Sequence, residues 1–311
     1  LYDVEAPTNT KQEGCRLMAY GTFKGLKSKY YSEVTYTTDS AYSGISIFIT
    51  DPKTMSLEEA IYTTGNKKPL AQMNPPGIAA NKVVAKTNAA GFDTYGPDGM
   101  SFVGWHYVDG KYYLSGEKLS GINDTKLKNY INYQPWRKYP AFCIKTDGTA
   151  TIRWMNHDRL KVAAPYCKTI ISAFHALVYD SKSVFEYTVR DKDDDKRIIA
   201  DWDDLNNTNY HHNNTLANGS TELKSNRTLL GHKANGAFVL VCTWCGMDLR
   251  VAAKMMADLG CDYAVNMDGS SAIRMRVASG YTNGVKDPGQ VCGNNNTKQD
   301  YYGTASCVYL T

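Results

Sequence analysis

Short alternations of apolar and polar residues recur along this chain, and they predict strands. Ile45-Ser46-Ile47-Phe48-Ile49-Thr50 reads as a strand ended by Asp51-Pro52. Lys82-Val83-Val84-Ala85-Lys86-Thr87 reads as another, delivering the small-residue turn Asn88-Ala89-Ala90-Gly91-Phe92 ahead of Asp93. A Gly-Pro-Asp-Gly turn follows at 96–99. Hairpins are predicted around Asp109-Gly110 and Asp147-Gly148, where a two-residue turn of the right chemistry is flanked by alternating positions. Ile170–Phe174 and Ala176–Tyr179 suggest further strand. Between these, Ser56-Leu57-Glu58-Glu59-Ala60-Ile61 opens on a serine with early acids and predicts a short helix.

The pattern breaks between about 190 and 226, where Asp-Lys-Asp-Asp-Asp-Lys and Asn-Asn-Thr-Asn-Tyr-His-His-Asn-Asn read as a long polar insertion, partly mobile. Regular structure returns at Arg227-Thr228-Leu229-Leu230-Gly231 and a strand Ala237–Val241. Asp248 then caps a predicted helix through Leu259. Its apolar positions Leu249, Ala252, Ala253, Met256 and Leu259 keep helical spacing, and Gly260 closes it. A strand Tyr263–Met267 ends at Asp268-Gly269-Ser270-Ser271. Strand, helix and strand joined this tightly put Asp268 at a strand end, where sites are commonly built.

Composition changes this picture little. With 42% hydrophobic and 21% charged residues, the chain is a folded protein able to bury a sizeable core. Its 23 tyrosines suit a β-rich protein, and also a sugar-binding surface, because the phenol offers an apolar face and a hydrogen-bonding tip. A formal charge of +4, evenly interspersed, argues against a nucleic-acid partner and permits an anionic substrate. No apolar run is long enough to span a membrane. The chain opens Leu-Tyr-Asp-Val-Glu, without initiator Met or signal peptide, so a processed boundary is expected there. Eight cysteines read as buried thiols; their even number and the six Asn-x-Ser/Thr sequons would equally suit a secreted, oxidised protein.

Taken together, the Arg227-Thr-Leu-Leu-Gly231 segment, the amphipathic helix and Asn266-Met267-Asp268-Gly269-Ser270-Ser271 resemble the phosphodiester glycosidases. That family's pattern is Arg-Thr-x-x-Gly, a helix, and Asn-Leu-Asp-Gly-Gly-Gly-Ser. Asn88-Ala-Ala-Gly-Phe92 resembles its other landmark, Asn-Gly-Gly-Phe-Phe. The resemblance spans Val83 to Leu310. It implies an α+β fold, β-rich, in which a curved mixed β-sheet wraps around the central helix, with the Asn88 and Asp268 turns meeting at one cleft. Residues 1–80 are then an N-terminal segment packed on a main domain, 81–311.

The implied reaction is hydrolysis of a glycosyl phosphodiester, or of a phosphorylated polysaccharide such as a cell-wall or capsule polymer, in an extracellular or virion-associated setting. Such a substrate needs a cation for the phosphate, a carboxylate near the anomeric carbon and hydrogen-bonding groups for the sugar. Arg227 suits the first need by its planar fork, though a lone arginine is more often a surface charge. Asp268 is the candidate base, nucleophile or electrostatic stabiliser; the plainer reading is a turn aspartate bonding its own backbone. His232 follows the arginine motif and could protonate a departing group, though a lone histidine is more often structural. Asn88, Gly91, Asp93, Thr228, Gly269, Ser270 and Ser271 are the candidate substrate-binding positions. No cofactor is implied.

Two other classes stay open. In a metal-dependent phosphodiesterase, Asp268 and Asp93 would hold Mg²⁺ or Ca²⁺ and the P–O bond would break. A catalytically weakened glycan-binding or virion-surface module would suit a turn that reads Asp-Gly-Ser-Ser, and Ala89 and Ala90 where glycines are usual. Cys242-Thr-Trp-Cys245 before a helix offers a redox reading, and His211-His212 a weaker zinc one.

Overall fold

The computed structural model describes residues 16–18, 45–50, 56–61, 73, 75–93, 101–102, 104–113, 139–184, 225–247, 249–269, 273–278 and 306–311. Their strands, in chain order, are β1 (Arg16–Met18), β2 (Ile45–Ile49), β3 (Leu57–Ile61), β4 (Ala85–Asn88), β5 (Phe92–Asp93), β6 (Ser101–Phe102), β7 (His106–Val108), β8 (Lys111–Tyr113) and β9 (Tyr139–Lys145). Then come β10 (Ala150–Met155), β11 (Cys167–Ser172), β12 (His175–Tyr179), β13 (Lys182–Ser183), β14 (Ser225–Lys233), β15 (Phe238–Met247), β16 (Cys261–Asn266), β17 (Met275–Val277) and β18 (Ser306–Leu310). Two α-helices join them, α1 (His157–Ala163) and α2 (Leu249–Asp258). Neither is long and apolar enough to cross a membrane.

The strands form a seven-stranded sheet in the order β1-β2-β15-β14-β16-β12-β13, a five-stranded sheet β10-β9-β11-β7-β8, a four-stranded sheet β17-β4-β18-β3, and the pair β5-β6. The fold is β-rich, as the alternations predict. Every neighbouring pair is antiparallel, which corrects the expectation of a mixed sheet. The physical reason lies in β15-α2-β16. A strand, helix and strand in succession make a crossover between strands that run the same way. Here β14 slots between the two and pairs antiparallel with both.

Alternation along the strands sorts side chains into layers. Leu229, Val239 and Val241 join Leu249, Ala252, Ala253 and Met256 of α2 in a cluster on one face of the large sheet. Leu230 and Leu240, one position away, face a core shared with Phe142, Ile152 and Trp154 of the five-stranded sheet and Leu57, Val308 and Leu310 of the four-stranded sheet. The helix expected at the centre thus lies across one face of the seven-stranded sheet. Leu249 and Met256 are fully buried there, each contributing about 1.5–3 kcal/mol. Gly260 follows α2 at φ +80°, the left-handed stop that its sequence announced.

Both predicted hairpins form. Asp109 and Gly110 take φ of 50° and 75° between β7 and β8. Gly148 takes 85° between β9 and β10, where the Asp147 carboxylate accepts from the Thr149 amide at 2.9 Å. The helix expected at 56–61 is instead β3, paired with β18 from Ser306↔Ile61 to Leu310↔Leu57. A serine cap and early acids favour a helix only weakly, and pairing with a strand some 250 residues away overrides them. Cys242 and Cys245 lie inside β15, not in a linker ahead of α2, which removes the helix N-terminus that a redox dithiol would use. Cys242 is a buried thiol beside Thr87 and Thr228. The polar insertion before Ser225, the Gly-Pro-Asp-Gly turn at 96–99 and His211-His212 lie outside the described residues.

Candidate active site

Three chain segments far apart in sequence converge where β4 and β16 end and β14 begins. Beyond β16, the Met267 amide donates to the Thr228 carbonyl at 2.8 Å, and the Asp268 amide to the Ala89 carbonyl at 3.0 Å. The Asp268 turn is therefore stitched to β14 on one side and to the turn after β4 on the other. Gly269 is required by this approach: a Cβ there would sit 2.6 Å from the Asn226 carbonyl oxygen, a backbone atom with little freedom to move. The Gly269 amide donates to Asp268 Oδ1 at 2.9 Å, which fixes the half-buried carboxylate against its own turn.

Asn88 is the bracket between these segments. Its Nδ2 donates to the Asp268 carbonyl at 2.9 Å, while its Oδ1 accepts from Thr228 Oγ1 at 2.8 Å and the Arg274 amide at 3.1 Å. The side chain is wholly buried. Sequence reasoning offered this amide to a sugar hydroxyl, but its contacts here are to protein. Thr228, also a candidate ligand contact, is fully buried and turned toward Asn88. Gly91, expected to let a ligand approach the backbone, is instead covered by the Phe174 ring, whose Cζ would lie 2.1 Å from an added Cβ. Asp93 lies in β5, paired with Ser101. Ser270 and Ser271 lie outside the described residues.

Arg227 is 2% exposed. Its amide donates to Thr243 Oγ1 at 2.9 Å and its Nε to the Met247 carbonyl at 3.0 Å, so the guanidinium plane is set by β15. An imidazole lies within its electrostatic reach. Burial, reinforced by the Arg227 cation, holds the His175 pKa down to about 3, so this ring is neutral at ordinary pH. Asn266 Nδ2 lies 3.3 Å from His175 Nδ1. The two side chains are therefore hydrogen-bonded across the β12–β16 pair.

His232 lies apart from Arg227. Five residues separate it from Arg227 along β14, roughly 17 Å of extended strand, so it belongs to the far end of the sheet. There it pairs with Asp262, Nδ1 to Oδ1 at 2.9 Å, and stacks edge-on against Phe238. The histidine brought near Arg227 is His175, which sequence reading passed over between two predicted strands. Asn266, already inside the quoted motif, was the available signal, since its partner across the β12–β16 register is His175. Arg274 was missed likewise. Among the described residues, no three His, Cys, Asp or Glu side chains gather as they would around a metal ion.

Against this geometry, a sequence model of the phosphodiester glycosidase family matches residues 81–305. None of the curated proteins matches the chain. Among solved structures, the pro-peptide-inhibited catalytic domain of zebrafish N-acetylglucosamine-1-phosphodiester alpha-N-acetylglucosaminidase superposes with a TM-score of 0.55 at 16% identity, covering 97% of this chain and 84% of that one. A hypothetical protein from Synechocystis gives 0.46 at 12% identity, covering 88% and 60%. At 16% identity, the zebrafish likeness bears on the fold alone.

Proposed function

The chain belongs to the phosphodiester glycosidase family, and from that premise we propose that it hydrolyses a glycosyl phosphodiester, breaking the bond between the anomeric carbon and the phosphate oxygen. The products are a free sugar and a phosphomonoester. The observation that supports this reading is that the turn carrying the half-buried Asp268 is bonded to β14 beside the buried Arg227 and bracketed by Asn88, with neutral His175 within the electrostatic reach of Arg227.

Asp268 serves the anomeric carbon, as nucleophile, base or stabiliser of the oxocarbenium-like transition state. The carboxylate is tethered through Oδ1 to Gly269 and its main chain through Asn88, so it reacts from a fixed position. Arg227 neutralises charge that accumulates on the departing phosphate. Because Nε is committed to Met247, phosphate recognition falls to the terminal nitrogens. His175, neutral at ordinary pH, acts as a hydrogen-bonding group rather than as a proton reservoir. Phosphate leaves readily, so the reaction asks more for charge neutralisation than for acid catalysis. Asn88 and Thr228 are positioning residues, and the sugar hydroxyls are met by the Asp93 and Ser270-Ser271 segments.

The test is a product assay on glycosyl phosphodiesters in ¹⁸O-labelled water, with Asp268→Asn as the companion variant. Label in the sugar supports C–O cleavage; label in the phosphate product, or loss of turnover in chelator, would favour the metal-dependent phosphodiesterase. Turnover in the variant within about tenfold of the parent, roughly 1.4 kcal/mol of barrier, would remove Asp268 from the chemistry.

A further inference from the structure

A cavity of about 530 Å³ opens on the face of the five-stranded sheet turned away from the shared core. Alternation again explains it. Phe142, Ile152 and Trp154 point into the core, while Cys143, Thr151, Arg153 and Met155 line the cavity on the other side. Helix α1 forms one wall, its Asn156 cap accepting from the Arg159 amide at 3.0 Å, and Val162, Ala163 and Tyr166 face the space. None of Asn88, Arg227 and Asp268 lines it, so the cavity is separate from the candidate active site.

Two features restrict what it can hold. The walls are mostly apolar, and Val162 and Tyr166, 72% and 71% exposed, are two of the three large apolar side chains left open to solvent among the described residues. The charged lining is lopsided, with Lys145, Arg153 and Arg159 against the single carboxylate of Asp158. This positive field reaches the floor. The Cys167 thiol is held below its ordinary value, first by a hydrogen bond from Cys143 and then, against burial, by Arg153 and Lys145. Cations that favour a thiolate there favour any anion brought to the same place. The volume falls within the range of sites for metabolite-sized ligands.

We propose that this cavity binds a free anionic amphiphile of metabolite size, its apolar body against Met155, Val162 and Tyr166 and its single negative head between Lys145 and Arg153. The site is independent of the reaction assigned to Asp268, and its test needs no turnover.

The full chain is titrated with 8-anilinonaphthalene-1-sulfonate and with N-phenyl-1-naphthylamine, which carries similar rings and no charge. Decanoate serves as competitor, and alkylation of Cys167 by iodoacetamide, mapped by peptide mass, reports occupancy at the site itself. The sulfonate probe should saturate one site, yield to decanoate and slow Cys167 alkylation at least about fivefold. Lys145→Gln with Arg153→Gln should weaken the sulfonate about tenfold and the neutral probe hardly at all, for a cooperatively folded variant. Thr151→Trp, which fills the space, should abolish both. Unsaturable binding, unchanged alkylation of Cys167 with probe bound, or equal weakening of both probes by the charge variants would overturn the proposal. Displacement by vesicles of anionic phospholipid but not by decanoate would place the source in a membrane and overturn the free-ligand assignment.

Discussion

Asn88→Ala is the sharpest probe of how the candidate active site is held. The substitution withdraws the acceptor used by Thr228 Oγ1 and the Arg274 amide and the donor used by the Asp268 carbonyl. All three lie around a fully buried side chain. A buried polar group left without its partner costs about 1–3 kcal/mol. The Thr228 hydroxyl can rotate toward another acceptor and water can enter the space, so the sum should fall near the lower end, about 3–5 kcal/mol. That is several times the average point mutation and a large part of a domain's whole stability. Urea unfolding at pH 7, with slope unchanged and midpoint lowered, measures it. Turnover should fall with it, because the Asp268 turn loses its tie to β4. Asn88→Asp refines the test. It keeps the acceptor but sets an oxygen against the Asp268 carbonyl, where only a protonated carboxyl can donate. Folding therefore takes up a proton in this variant, and its stability relative to the parent should rise as pH falls from 7 to 5. A loss below about 1.5 kcal/mol for Asn88→Ala, or no relative gain in acid for Asn88→Asp, would refute the bracket.

Arg227→Lys should lose nearly as much kcat/KM as Arg227→Ala, roughly 2–5 kcal/mol on a glycosyl phosphodiester, because a tetrahedral ammonium cannot make paired in-plane bonds to two phosphate oxygens as a guanidinium anchored on Met247 does. The loss should shrink on an uncharged aryl glycoside of the same sugar; equal losses would make Arg227 a structural cation only. His175 is neutral in the fold down to about pH 3, whereas an unfolded histidine takes up its proton near 6.5. Unfolding therefore binds a proton between these values, so the contribution is fully present above about pH 6.5 and is lost as pH falls, by roughly 1.4 kcal/mol per unit. His175→Gln should flatten urea midpoints measured from pH 7.5 to 4.5, and an unchanged slope would contradict the assignment. Gly269→Ala should cost at least about 1–3 kcal/mol and most of the activity, since its Cβ meets the Asn226 carbonyl at 2.6 Å; a parent-like midpoint and rate would show that the turn can move aside.

The motif residues Asn88, Arg227 and Asp268 were legible because each sits in a short run whose spacing survives without any knowledge of the fold. Their roles were not. Whether an amide is offered to a ligand or committed to protein depends on what faces it, and Asn88 is faced by residues 140 and 180 positions away. His175 acquires meaning only from the β12–β16 register that sets it opposite Asn266. His232, adjacent in sequence to the arginine motif, is carried away from it by the length of an extended strand.

What the chain determined alone is what depends on near neighbours. Asp109-Gly110 and Asp147-Gly148 specify their hairpins because turn residues choose left-handed backbone locally, and α2 is specified because its apolar positions recur at helical spacing. The tertiary structure decided the rest: that 57–61 is a strand, that β14 enters between β15 and β16, and that the Asp268 turn closes against Asn88. The reason is that a strand's backbone groups are satisfied only by another strand, and the identity of that partner is written in the packing of the whole chain rather than in either segment.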